Sequence, residues 1–406
     1  MSVVFIKRGV QGLLFLLCTV WAVQGHALPA PNYRALLVGV SSYPTLADDL
    51  QLKGPKNDVL RMRALLTARG FSKGSIRVLA DGVDGAALPT RAAILGALRQ
   101  LADTAKPDDY ILILVGGHGS QMPVPDGHPQ ADAESDGLFE IFLPRDVKGW
   151  RNRGSQGSGM IENAILDAEF REHIDRMSAA GAFVWAIFDT CHSATMVRSG
   201  GRAVPGSEMR LRQVSPAALG VPYGAVDRAR AQARQRAKLP GTSSLPRPQS
   251  PLSRSGAPGN AVYFYAAQAT EPAPEDNLPY GVAGRQRHGL FSFNLIQALE
   301  AAAGPMTYEQ LGQQVLTRYA AVNGEPTATP LFTGTALQAG VLAQSAAPLR
   351  QWQLRQTESS LSIPAGNLHQ VYEGSVLAVL PDALSGDAQA LGYVRVKHST
   401  ATAATL

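Results

Sequence analysis

Cysteine is nearly missing from this chain: Cys18 and Cys191 are the only two in 406 residues. So few thiols exclude a disulfide-stapled small domain and any Cys-rich zinc module, each of which needs several. Charge is also sparse, at 17% of residues, but the apolar share of 45% is too high for a disordered chain. The longest mostly apolar run near the start, Gly9 to Val23, is shorter than the roughly 20 residues a membrane-spanning helix needs. What is present is length for two or three domains of about 150 residues, and 40 Gly with 27 Pro to supply turns.

The first 27 residues carry the marks of a secretory signal. Lys7 and Arg8 form a positive start, the apolar run follows, and Gly25 and Ala27 offer a peptidase site before Pro29. The expectation is export through the Sec pathway to the periplasm or the outside, with no stable membrane anchor. Phe15-Leu16-Leu17 before Cys18 lacks the small residue a lipidated cysteine requires. Cys18 would leave with the signal, and the exported chain would keep a single thiol.

Short apolar runs alternate with helical patterns from residue 32 onward. Arg34 to Val40, Ile76 to Leu79, Tyr110 to Val115 and Phe183 to Phe188 read as buried strands. Asn57 to Arg69, Thr90 to Ala105 and Ala164 to Met177 have helical spacing between them. The pattern resumes with strand Val262 to Ala266, helices Leu290 to Ala302 and Thr307 to Ala320, and a short strand after Pro330. Such alternation predicts an α/β domain around a mostly parallel sheet with flanking helices. Residues 32–200 and 261–340 are assigned to that domain, and 345–406 to a short β-rich tail with strands at Ser375 to Leu380 and Gly392 to Lys397.

Residues 201–260 differ. They hold ten Lys/Arg against two acids in a chain of net charge +5, so the basic balance belongs to an Arg/Pro/Ser-rich linker and the rest is net acidic. Nucleic-acid binding would want aromatic or structured partners for these charges, and a Pro/Ser/Arg-rich linker argues against it. Arg228, Arg230, Arg234, Arg236 and Lys238 are read as lying in an exposed stretch between the two halves.

Two strands end in reactive residues. The Tyr110 strand runs into Gly116-Gly117-His118-Gly119-Ser120, and the Phe183 strand into Asp189-Thr190-Cys191-His192-Ser193. In open α/β sheets, functional groups collect beyond the carboxyl ends of the strands. An imidazole and a thiol delivered to one edge make a base–nucleophile pair, with His118 preferred over His192 because neighbours on extended chain point apart. The N–H groups of Gly119 and Cys191 could bind a developing oxyanion. A lone cysteine at a strand end is usually a buried structural thiol, and the Gly-flanked His118 on the sister strand weighs against that here. His128 and His288 are expected in solvated loops.

These motifs, with Leu37-Val-Gly-Val-Ser-Ser-Tyr43 and Leu52-Lys-Gly-Pro-Lys-Asn-Asp58 upstream, resemble the caspase-like clan, and specifically bacterial metacaspases (orthocaspases). The likeness extends over residues 34–335, through Tyr263 to Glu275 and His288 to Leu299, which resemble the small-subunit part of that fold. The resemblance implies a caspase–hemoglobinase sandwich. It also implies cysteine endopeptidase activity after Arg or Lys, and protein or peptide substrates bearing those residues; a monomer is expected. It places Asp58 and Asp189 where metacaspases line the primary pocket with acids. A carboxylate pair there favours a cationic side chain. For Asp58 a charge near a helix start is the plainer reading. The resemblance also suggests self-cleavage in the basic segment, at Arg228, Arg230, Arg234, Arg236 or Lys238.

No cofactor is required by this scheme, and calcium is the one option. Asp126 to Asp146 carries six acids, but Leu143 stands where an EF-hand loop needs its bidentate acid. The resemblance implies Asp132, Asp136 and Asp167 as calcium ligands. Phe139 and Ala168 stand at positions where metacaspases often have acids, which weakens that implication. Two other classes remain open: a silent caspase-like scaffold that binds partners through its tail, and an Arg-specific cysteine protease of the clostripain or gingipain type.

Overall fold

The computed structural model describes residues 31–406 apart from 126–127, 129–133, 153–158, 192–207, 237–259, 269–270, 303, 324–327, 346–350, 358–359, 382–384 and 386–388. The segment expected to be a signal, Asp132, His192 and Lys238 therefore lie outside the described residues.

The chain opens with β1 (Asn32–Gly39), α1 (Gly54–Ala68), β2 (Ile76–Ala80), α2 (Arg91–Asp103) and β3 (Asp109–Gly116). Short strands follow: β4 (Gly119–Pro123), β5 (Leu138–Phe142), β6 (Trp150–Asn152), β7 (Gly159–Ile161) and β8 (Ile165–Leu166). Then come α3 (Asp167–Ala179), β9 (Phe183–Asp189), β10 (Arg210–Leu211) and α4 (Ala225–Arg236). The second half supplies β11 (Ala261–Tyr265), β12 (Pro274–Leu278), β13 (Gln286–Gly289), α5 (Leu290–Ala301), α6 (Tyr308–Asn323) and β14 (Leu331–Gly334).

Six strands form the central sheet in the order β14-β11-β9-β3-β1-β2, parallel except for β14. Its inner strands β3, β9 and β11 are nearly continuous apolar runs because both faces are covered. Along β3, Ile111, Ile113 and Val115 join one buried layer with Ile94 and Leu98 of α2 and Phe170 and Ile174 of α3. Tyr110, Leu112 and Leu114 join the other, with Val59 and Met62 of α1, Leu295 of α5 and Leu311 of α6. Fully burying each such side chain contributes roughly 1.5–3 kcal/mol. Thr90 caps α2 by accepting the Ala93 N–H, and Pro55 sits in the first turn of α1, where a missing N–H costs nothing.

The expected sandwich is what forms, since the sheet draws β11 and β14 from beyond the basic segment. The β-rich end is also present: β15 (Arg355–Gln356), β16 (Leu361–Ile363), β17 (Val376–Val379), β18 (Gly392–Arg395), β19 (His398–Ser399) and β20 (Ala404–Thr405) make two small sheets around Ile363, Val371 and Val396. The reading of residues 201–260 as one connector is corrected. Arg210–Leu211 pairs with β12, Val214, Leu219 and Val221 are buried, and 225–236 is a helix seated through Ala225, Ala229 and Ala233. Small apolar residues every fourth position gave this helix a face to bury, which the count of arginines concealed.

Candidate active site

Neighbouring strands β3 and β9 are in register, Gly116 opposite Asp189, so the residues after them leave the sheet at one edge. His118 and Cys191 are delivered together there. Gly119 packs its Cα against the Cys191 carbonyl so closely that any Cβ would overlap it, which explains glycine at this position.

Burial and fixed partners hold the imidazole. The His118 N–H donates to Tyr43 Oη at 2.7 Å, and the Tyr43 ring lies against it with centroids 4.9 Å apart. Nε2 lies 2.7 Å from the Leu50 carbonyl, an acceptor only, so Nε2 carries the proton. Nδ1 is buried with its lone pair unengaged. Burial pushes the imidazole down to about 4, so it is neutral at physiological pH. Cys191 is buried, with Sγ accepting the Ala273 N–H at 2.6 Å. Burial is the main cause raising its thiol to about 12, and the charge of Asp189 adds to it.

Beside this pair an acidic pocket is filled by the chain itself. The Arg212 guanidinium is fully buried and sits 2.6 Å from Asp58 Oδ2 and 3.1 Å from Asp189 Oδ2, with Nε 3.5 Å from Glu275 Oε2. Arg212 also donates to the Asp189 carbonyl at 3.0 Å. Three carboxylates around one guanidinium hold it charged, and a planar fork suits such a site better than an ammonium. Asp58 is further bound by His288 Nδ1 at 2.8 Å and the Gly289 N–H at 3.0 Å, and Asp189 by the Ser292 N–H at 3.1 Å. Glu275 accepts the Lys53 and Gly54 N–H groups at the start of α1, where a negative charge is favourable.

The Arg212 main chain is bound as well. Its N–H donates to the Ala273 carbonyl at 2.9 Å, and its own carbonyl accepts the Gly119 N–H at 3.1 Å. Arg212 is thus anchored at side chain, amide and carbonyl, with the carbonyl on the donor expected for an oxyanion.

Other expectations fare differently. His288 is corrected from a solvated loop residue to a buried partner of Asp58, because β13 carries it against α1. His128 is half-buried, its ring 4.8 Å from that of Phe139. Arg228, Arg230, Arg234 and Arg236 lie on α4, Arg228 and Arg234 exposed and Arg230 and Arg236 half-buried, so the connector expected around them is here a helix whose backbone is already hydrogen-bonded to itself and offers no strand to a cleft. Asp136 accepts the Leu138 N–H, and Asp167 faces Arg171 at 3.5 Å. Burial, then Asp167, Glu134 and Asp136, raise Glu140 well above the usual carboxylate range. Among the described residues no three His, Cys, Asp or Glu side chains converge to hold a metal ion, and Asp132, expected to join Asp136 and Asp167 as a calcium ligand, lies outside the described residues. Sequence reasoning missed Arg212, Glu275, Tyr43 and Leu50 as members of the site. Glu275 and Tyr43 lay inside quoted motifs; Arg212 carried no mark beyond its charge.

Residues 33–199 match the family model described as metacaspase, peptidase C14 domain. Metacaspase-6 of Arabidopsis thaliana is 32% identical over 165 residues, covering 40% of this chain and 39% of that one. Metacaspase-1B of Aspergillus fumigatus is 30% identical over 164 residues, covering 40% of this chain and 35% of its own. The chain therefore spans well under half the length of these curated relatives. Among solved structures, protein GSU0716 from Geobacter sulfurreducens aligns over 75% of this chain and 93% of its own, with a TM-score of 0.48 and 17% identity. Caspase-1 from Spodoptera frugiperda aligns over 75% and 86%, with a TM-score of 0.42 and 11% identity. The matched region holds His118, Cys191, Asp58 and Asp189, and its likeness is to cysteine peptidases of the metacaspase family.

Proposed function

We propose that the protein is a cysteine endopeptidase that hydrolyses bonds after Arg or Lys, with His118 and Cys191 as its dyad, and that it processes itself at Arg212–Gln213. The observation that carries this reading is Arg212: its side chain sits among Asp58, Asp189 and Glu275 while its carbonyl rests on the Gly119 N–H. The arrangement is that of a bound substrate. It replaces Arg228, Arg230, Arg234, Arg236 and Lys238 with Arg212 as the proposed processing residue.

Both shifts favour the uncharged forms of thiol and imidazole at rest. Thiol and imidazole begin as a neutral pair, so the proton leaves Sγ for His118 Nδ1 as sulfur attacks the Arg212 carbonyl carbon. Negative charge grows on the carbonyl oxygen, opposite the Gly119 N–H. The intermediate collapses with rupture of the C–N bond, and Nδ1–H protonates the departing Gln213 nitrogen. His118 then deprotonates a water that attacks the thioester, and the thiol is released. The Leu50 carbonyl steadies the imidazolium through Nε2–H. No metal is needed for these steps. Export remains part of the proposal, on Lys7, Arg8 and the apolar run alone.

Fluorogenic peptides ending in Arg, Lys or Asp, offered to wild type and Cys191→Ala, test the activity. Turnover of Arg and Lys peptides by wild type alone is expected. Preference for Asp would overturn the pocket assignment, and no turnover of any peptide would favour the silent scaffold.

A further inference from the structure

Beyond Arg212 the chain stays extended across the site. Leu211, Gln213 and Ser215 are half-buried while Arg212, Val214 and Pro216 are buried, a period of two in which alternate side chains point inward. Before the Arg212 carbonyl, this strand pairs antiparallel with β12, Arg210 opposite Glu275 and Leu211 opposite Pro274. After it, the partner changes: Gln213 forms a parallel bridge to Gly119, with the Val214 N–H donating to the Gly119 carbonyl at 3.1 Å. The Ser120 hydroxyl then donates to the Val214 carbonyl at 2.6 Å. Val214 is fully buried in the cluster that contains Met122, Phe142 and Val147.

From this we infer that the enzyme reads substrate on the leaving-group side as well, through a built subsite for the second residue after the cleaved bond, which takes a branched apolar side chain and is registered by Ser120. The inference rests on the proposed peptidase reading. The substrate class it defines is an extended peptide with Arg at the cleaved bond and Val, Ile or a similar residue two positions later. The residue between, equivalent to Gln213, is half-buried and lies on the opposite side of the strand from Val214. A charged side chain at the buried position would enter an apolar cluster with no partner to neutralise it. A peptide that ends at the cleaved bond never reaches this subsite, which separates the inference from the activity itself.

The test uses the full chain after self-processing. Peptides Leu-Arg-Gln-Xaa-Ser-Pro, with Xaa as Val, Ile, Asp or Lys, are compared with Leu-Arg-aminomethylcoumarin as reference. Val and Ile peptides are expected to exceed Asp and Lys peptides in kcat/KM by at least about tenfold, and Ser120→Ala to lower the ratio of the Val peptide to the coumarin substrate. Equal rates for all four peptides, or coumarin turnover with none of the four cut, would overturn the subsite. Absence of coumarin turnover would instead remove the peptidase reading on which it rests.

Discussion

Two acid clusters sit in this protein, and they are neutralised very differently. Asp58, Asp189 and Glu275 surround a buried guanidinium, and each also accepts backbone N–H groups or an imidazole nitrogen. Burial drives the Glu140 carboxyl upward, Asp167, Glu134 and Asp136 add to it, and Arg171 offsets it in part. The first cluster is filled by a cation of its own chain. The second stores repulsion. Composition cannot tell them apart, because both are acids scattered along the sequence; the third dimension puts a cation in one and leaves the other short.

The difference is breakable by substitution, most severely at Arg212. Arg212→Gln leaves three buried carboxylates without their cation and should cost about 3–5 kcal/mol, read as a lower urea midpoint. A midpoint unchanged from wild type would mean the guanidinium does not hold this pocket.

A smaller effect belongs to His118. Its folded value near 4 lies below the ordinary 6.5, so it contributes stability above pH 6.5 that is lost as pH falls toward 4. The loss should approach roughly 3 kcal/mol, seen as a falling Tm across that window. A Tm that is flat from pH 6.5 to 4 would argue that the imidazole is not held neutral.

Smallest is the relief of the second cluster. Glu140 has a raised folded value, so its contribution is present at low pH and is lost as pH rises past the ordinary carboxylate range. Glu140→Gln should therefore raise stability at pH 7 by about 1 kcal/mol or less. Destabilisation at pH 7 would indicate that the charged carboxylate has a cation partner after all. Added calcium or EGTA is expected to leave that Tm unmoved, since among the described residues no three such side chains are placed to hold a metal ion.

Much of the fold could be read from the chain. Strands buried on both faces are uninterrupted apolar runs, and Tyr110 to Val115 and Phe183 to Phe188 coincide with β3 and β9. Residues at their carboxyl ends then follow from parallel topology, which is why His118 and Cys191 were legible as neighbours. Segments whose structure comes from tertiary contact were not. Arg210–Leu211 is a two-residue strand made by its partner β12, and α4 is mostly Ala, Arg and Gln with a narrow buried face. Arg212 belongs to this group: a charged residue is normally exposed, and only three carboxylates contributed by α1, β9 and β12 reverse that. His288 was misplaced for the same reason, since nothing in its local sequence announces Asp58 as a partner.

The central claim is that Arg212 occupies the pocket as a substrate does. N-terminal sequencing and intact-mass analysis of the purified wild-type and Cys191→Ala proteins test it most directly. The account predicts a wild-type fragment beginning at Gln213 and an uncut Cys191→Ala chain. A wild-type protein cut only elsewhere, or a Cys191→Ala protein bearing the same Gln213 end when purified alone, would contradict it.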